Sequence, residues 1–252
     1  MLATIVIPIF NIDIYRYRNL MYILEYTSRC NYAVIVAEQA NAPTTLNLDR
    51  FPHVTHHVLN KKTHIFHKTW LINKIIKYVH TQYMWVVDCD FFMNFDQLQI
   101  SDSILNQYKF IQPYYYSRDL TYKQTLELHQ SKEPHVDCTR PELLQSRLVN
   151  IYGALSFIFD ISSFVDIGAM NESYIGWGYE DYDLFFRVHG NNDSANYYIN
   201  KETHGYHMYH DVPLDKETYA AENYKVLESH GYNLQNVNTI LKNHYYPDWS
   251  FE

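Results

Sequence analysis

The chain has 252 residues, which suits one large domain or two small ones and allows a substantial core. Hydrophobic residues make up 47% of it, which excludes intrinsic disorder, and a net charge of -8 argues against nucleic acid or an anionic membrane as the main partner, since both demand a basic face. Three widely spaced cysteines, Cys30, Cys89 and Cys138, form neither a disulfide framework nor a CxxC metal site and fit a reducing compartment. No apolar run approaches the roughly 18 residues of a membrane span. Met1 to Pro8 lacks the basic flank and cleavage site of a signal peptide, so the expectation is a cytoplasmic protein without a membrane span.

Ala3–Ile9 is a β-branched run that reads as a buried parallel strand leading into a helix over about 14–29, with Leu20, Ile23 and Leu24 on one face. Tyr32 to Ala37 is a second buried strand, with polar Glu38 and Gln39 at its end, and 41–60 reads as loop through Pro43 and Pro52. Phe66 to His80 has helical periodicity, and Tyr83 to Val87 is a third buried strand that runs into Asp88-Cys89-Asp90. Further helices are expected over 96–108, 139–149, 162–167 and 216–230. Strands are expected over 109–113, 154–159 and 196–200. The tyrosine-rich stretch 114–134 has weak periodicity and reads as a loop or lid. Alternating strands and helices predict an α/β fold with a single mixed, mostly parallel central sheet flanked by helices. In such sheets ligands sit beyond the carboxyl ends of the strands, where Asn11, Glu38 and Asp88 to Asp90 fall.

All seven glycines lie at Gly153 or later, which excludes a glycine-rich phosphate loop from the N-terminal half. In extended chain, Asp88 and Asp90 share a face while Cys89 points inward. Two co-facing carboxylates at a sheet's carboxyl edge suit Mg²⁺ or Mn²⁺ bridging to a diphosphate; the alternative is a solvated strand end. Aspartate-nucleophile phosphatases also place a DxD after an apolar strand. They follow it with a glycine and a hydroxyl residue, whereas Phe91-Phe92-Met93 follows here. His204, His207 and His210 form a cluster in which imidazole suits Mn²⁺ or Zn²⁺. Three-residue spacing on a straight strand, however, puts His207 and His210 on opposite faces unless the chain turns. The stretch from Gly176 to Arg187 crowds Glu180, Asp181 and Asp183 behind two glycines and Trp177. Acids in a first helical turn meet the positive end of the helix dipole, so capping and chemistry both remain open there. No GxSxG occurs and no cysteine sits beside an evident base, so nucleophilic catalysis finds no support.

Taken together, these segments resemble the GT-A-fold nucleotide-sugar glycosyltransferases, and most specifically the β-1,4-galactosyltransferase family. Chondroitin-polymerase and polypeptide GalNAc-transferase catalytic domains share similar elements. The family's GWGGED hallmark is similar to Gly176-Trp177-Gly178-Tyr179-Glu180-Asp181, its DVD motif to Asp88-Cys89-Asp90, and its first two strand ends to Pro8-Ile9-Phe10-Asn11 and Glu38-Gln39-Ala40. The resemblance implies a single domain over 1–252, with a nucleotide-binding half over 1–113 and an acceptor-binding half over 114–252. It implies a Mn²⁺ (or Mg²⁺) site made by Asp90 and His210, with Asp88 against the ribose or the metal's shell and His207 where the family often has a methionine ligand. Asp181 would be the catalytic base and Glu180 would bind sugar hydroxyls, while Trp177 stacks on sugar beside Gly178 and Tyr179. Pro8, Asn11 and Glu38 would line the uridine pocket. The implied activity is metal-dependent transfer of a hexose or N-acetylhexosamine from a nucleotide-diphosphate sugar, UDP-linked, to a glycan or glycoconjugate acceptor with inversion. A retaining transferase, or a non-catalytic sugar- or nucleotide-binding module, is the alternative. The sequence departs from the family at Tyr179 (a glycine there), Tyr182 (an acid) and Phe10 (an arginine).

Overall fold

The computed structural model describes residues 3–42, 45–93, 102–130, 147–150, 155–190 and 197–236. Three largely apolar strands make its centre: β1 (Ala3–Ile9), β2 (Ala33–Ala40) and β4 (Tyr83–Val87). Their side chains alternate between two apolar layers, as a strand's two-residue period requires. Ile5, Ile7, Val34, Val36, Tyr83 and Trp85 face one layer, which α1 (Ile14–Thr27) closes with Leu20, Ile23 and Leu24. Val6, Ile35, Ala37, Met84 and Val86 face the other, closed by Leu71, Ile72 and Ile75 of α2 (Lys68–Ile75) and by Phe164, Leu184 and Val188. A sheet covered on both faces needs apolar residues at every position, which is why these strands read as runs rather than alternations.

The seven strands of this sheet are ordered β10-β6-β9-β4-β1-β2-β3, with β3 at Val54–Asn60, β6 at Phe110–Gln112, β9 at Ser156–Asp160 and β10 at Tyr197–Ile199. Only β9 runs antiparallel to its neighbours, β4 and β6. The expected mixed, mostly parallel sheet is therefore present. Beside it stands a second sheet, ordered β5-β11-β7-β8, from β5 (Phe91–Phe92), β7 (Ser117–Asp119), β8 (Arg147–Asn150) and β11 (Gly205–His207). Gly205 lets β11 lie against β5, because any Cβ there would strike the buried Phe91 ring.

Several expectations need correction. The 41–60 stretch is loop only in part: β3 pairs in parallel with β2 at the sheet edge, where one strand face stays half-exposed and carries polar residues. The 114–134 stretch holds β7 and the helix α4 (Tyr122–Gln130), whose Thr125 and Leu128 are buried; it is a packed element rather than a loose lid as far as it is described. The helix expected over 139–149 lies outside the described residues up to 146, and 147–150 is strand. The helix expected over 66–80 is shorter, with α2 running into a 3-10 turn at Ile76–Tyr78. The remaining helices among the described residues are α3 (Asp102–Gln107), α5 (Ile161–Asp166), α6 (Glu180–Gly190) and α7 (Lys216–Ser229). Among the described residues no helix is long and apolar enough to cross a membrane.

Candidate active site

β4 ends at Val87 and the chain turns at once, with the Phe91 amide donating to the Asp88 carbonyl at 3.0 Å. Cys89 is buried in the core, as the strand reading requires, while the carboxylates on either side of it take different partners. Asp88 turns to Lys68 at the start of α2, with Nζ 2.7 Å from Oδ1 and 2.9 Å from Oδ2. Asp90, only 6% exposed, turns towards α1 and β11.

β11 brings the histidines to Asp90. His207 lies opposite Phe91 in the β5–β11 pairing, and the Met208 amide donates to the Asp90 carbonyl at 2.7 Å. The strand stops at His207, and the turn beyond it swings His210 to the same side; this resolves the face problem posed by three-residue spacing. His207 Nε2 stands 3.8 Å from Asp90 Oδ1, His210 Nε2 3.4 Å from Asp90 Oδ2, and the two Nε2 atoms are 3.2 Å apart. Asp90, His207 and His210 each offer a ligand atom within 4.8 Å of the others. His204 takes no part and stacks on Tyr116.

The outer bonds of these imidazoles fit a metal. His207 Nδ1 meets Asp119 Oδ1 at 2.9 Å, and His210 Nδ1 meets the Asp211 carbonyl at 2.7 Å. Both Nδ1 atoms therefore serve as donors, and each Nε2 lone pair is turned inward towards Asp90. An acceptor-only trio backed by carboxylate–histidine and carbonyl–histidine bonds is a donor set that suits a divalent metal. The charges agree: burial alone would raise the Asp90 pKa, but His207, His210 and Arg16 outweigh it and the carboxylate is held below its ordinary range. For His207, burial is outweighed by the Asp119 bond and the surrounding carboxylates, so its pKa is raised.

Arg16 enters this cluster unforeseen. Asp13 caps α1, its Oδ1 accepting from the Tyr15 and Arg16 amides, and its Oδ2 holds Arg16 Nη1 at 2.9 Å. Arg16 Nε donates to Asp90 Oδ2 at 3.1 Å and Nη2 to His210 Nε2 at 3.3 Å. Lys68 and Asp119 were likewise absent from the sequence reading, because such residues become visible only when distant elements pack together.

Opposite Asp88, the loop before α6 delivers the acidic group. Gly176, Gly178 and Tyr179 all have positive φ (74°, 101° and 68°), a run of left-handed backbone that the two glycines adopt without strain. Gly176 admits no Cβ, since the Tyr219 ring fills that space. Glu180 Oε1 stands 4.0 Å from Lys68 Nζ, so Lys68 lies between Asp88 and Glu180. Burial first, then the Asp181 charge, push the Glu180 pKa up to about 8 against the pull of Lys68. Burial likewise raises Asp88 to about 6, with Lys68 opposing and Asp90 adding. Asp181 faces a narrow cavity of about 30 Å³ with Gln112, Ser156 and Phe185. Asp183 is structural: it is 1% exposed and bonds Arg187 Nε at 2.7 Å.

The other expected residues are placed as follows. Asn11, with φ 42°, and Glu38 line a cleft of about 550 Å³ together with Asp13, Tyr17 and Asn41. Glu38 is also bonded to His56 Nε2 at 2.8 Å. Pro8 is buried within β1, paired with Ala37, rather than lining that cleft. Trp177 is 48% exposed with Lys216 Nζ 3.9 Å above its ring. The Tyr179 ring packs against Tyr182 and Tyr224, towards α7.

Residues 135–211 match the family model described as the N-terminal domain of galactosyltransferase. Among solved structures, TarS 1-349 of S. aureus in complex with UDP-GlcNAc superposes with a TM-score of 0.55 at 13% identity, covering 84% of this chain and 60% of that one. GalNAc-T7 with UDP, GalNAc and Mn²⁺ superposes with a TM-score of 0.53 at 11% identity, covering 83% of this chain and 44% of that one. The chain thus spans less than two thirds of the length of these structural relatives. Comparison with curated protein sequences gives no match. The chain has the GT-A glycosyltransferase fold and carries a galactosyltransferase-family match across residues 135–211.

Proposed function

We propose that the protein is a metal-dependent glycosyltransferase that moves a hexose or N-acetylhexosamine from a UDP-linked sugar to a glycan hydroxyl, with inversion at the anomeric carbon. The observation that carries the reading is the convergence of Asp90, His207 and His210, each histidine backed by an outer acceptor, across from the Glu180 and Asp181 helix start. The TarS and GalNAc-T7 structures hold UDP-GlcNAc and UDP with Mn²⁺, which supports a uridine nucleotide and a divalent metal here.

In this reading Asp90, His207 and His210 hold Mn²⁺ or Mg²⁺, with Asp88 beside them. When bound, the ion offsets negative charge building on the leaving diphosphate. The cleft at Asn11 and Glu38 receives the nucleotide, with the Glu38 carboxylate accepting from the base and His56 fixing its orientation. Trp177 offers an exposed aromatic face to a sugar. Asp181 takes the proton of the acceptor hydroxyl, and Glu180 binds sugar hydroxyls from the same helix start. Lys68 keeps Asp88 and Glu180 at fixed separation. The nucleotide half is 1–113 and the acceptor half 114–252, with His207 at the end of β11 and His210 in the turn beyond it returning to the first half's carboxylate.

The test is nucleotide release from a panel of UDP- and GDP-sugars with Mn²⁺, with and without acceptors. Release with a UDP-sugar, lost in Asp90→Ala, is the expected result; no turnover with any donor, or full turnover in Asp90→Ala, overturns the reading. Asp181→Asn is expected to abolish transfer while sparing donor binding. Should Glu180→Gln do this instead, the base is Glu180, whose pKa of about 8 already lies close to neutrality.

A further inference from the structure

We propose that Arg16 is a resident counter-cation that competes with the divalent metal for Asp90 and His210, and so lowers the site's metal affinity. The inference rests on the metal reading above and concerns a residue outside its ligand set. Three facts carry it. First, Arg16 is aimed rather than loose: Asp13 holds Nη1 at 2.9 Å while capping the same helix, so guanidinium and helix end form one unit. Second, the guanidinium addresses the lone pairs a metal needs, through Nε on Asp90 Oδ2 at 3.1 Å and Nη2 on His210 Nε2 at 3.3 Å. Third, His210 Nδ1 is committed to the Asp211 carbonyl, so Nε2 has a single lone pair to give. That lone pair can accept an N–H from Arg16 or bind a metal, but not both.

The arrangement has an energetic logic. Asp90 is 6% exposed, and a buried carboxylate without a cation is costly. Arg16 meets that need from a position that keeps about a quarter of its side chain in solvent, with 23% exposure. A divalent ion entering this trio must displace Arg16 from His210, and the exchange trades a charge-assisted bond for the metal–nitrogen bond. The fork geometry is specific to arginine, because a lysine ammonium cannot reach both acceptors along fixed directions.

The experiment is Mn²⁺ titration, followed by electron paramagnetic resonance of free Mn²⁺ and by the metal-induced rise in melting temperature, on the wild-type chain, Arg16→Met, Arg16→Lys and Asp90→Asn. Arg16→Met is expected to bind Mn²⁺ at least about tenfold more tightly than wild type, to start from a lower melting temperature, and to gain more from the metal. Arg16→Lys, which retains the charge and guards against a folding defect in the methionine variant, is expected to tighten binding by a smaller factor. Asp90→Asn is expected to lose binding. Mn²⁺ binding by wild type with equal or weaker binding by the folded Arg16 variants overturns the Arg16 inference and leaves the metal site standing. Binding by none of the chains removes the metal site and the inference with it.

Discussion

Asp119 shows how far a single residue outside the ligand set can reach. Its carboxylate accepts from His207 Nδ1 at 2.9 Å, which fixes the ring's tautomer and turns Nε2 towards Asp90. Removing such a partner frees the imidazole to rotate and weakens it as a ligand. Asp119→Ala is expected to lower Mn²⁺ affinity by about 10–100-fold while leaving the sheet intact, since the β7–β11 backbone pairing does not involve the carboxylate. Metal titration against an unchanged circular-dichroism spectrum checks this; unchanged affinity would remove Asp119 from the site. Tyr179 makes the opposite point. It stands where the resembled family has a glycine, its backbone is left-handed at φ 68°, and its ring packs against Tyr182 and Tyr224.

At the scale of elements, legibility followed burial. β1, β2 and β4 are covered on both faces, so apolar runs such as Ala3–Ile9 announced them, and the carboxylates at their ends followed. β3 has a neighbour on one side only and a half-exposed face, so its Val54–Asn60 sequence carried no such run. The second sheet was not legible because β5 and β11 are two and three residues long, too short for periodicity to register. Asp90 and His210 could be named from their positions in family-like motifs. Arg16 and Lys68 could not, since their contacts depend on how α1 and α2 pack against the ends of the central strands. One element contact shapes the acidic loop directly. Asn223 of α7, 4% exposed, donates to the carbonyls of Ile175 and Trp177 at 2.9 and 3.1 Å and accepts from the Ile175 amide at 3.2 Å. Asn223→Ala leaves these groups without that partner and is expected to cost roughly 1–3 kcal/mol of stability. Because Trp177 and Glu180 follow directly, the apparent KM for acceptor should rise more than that for donor. Denaturant melts and paired kinetics test both halves of this, and a rise confined to donor KM would place the loop elsewhere in the reaction.

For the whole molecule, Lys68 links elements that are far apart in the chain. From the start of α2 it holds Asp88, at the end of β4, and stands 4.0 Å from Glu180, at the start of α6. Both carboxylates have raised pKa values, Asp88 at about 6 against an ordinary 3.8 and Glu180 at about 8 against 4.5, in each case with burial as the leading cause. The sign follows: between the ordinary and raised values the folded chain binds more protons than the unfolded one, so these groups make stability fall as pH rises. Their contribution is fully present below about pH 4 and is lost by about pH 8. Lys68 opposes that loss by stabilising both anions, and its own pKa is raised because the three acids around it outweigh its burial. Lys68→Met removes the opposing charge and leaves two desolvated acids without a cation, Asp88 ionising at lower pH than Glu180. The expected cost is roughly 3–5 kcal/mol near pH 8, where the folded chain must carry these charges, and much less near pH 4, where both acids are protonated in the folded chain. Adding Glu180→Gln to Lys68→Met should recover part of the loss seen near pH 8 and flatten the profile, because one of the two ionising acids is then gone. Urea melts of the three chains across pH 4 to 8 decide the matter. A Lys68→Met penalty of the same size at every pH would mean that Lys68 acts by packing alone.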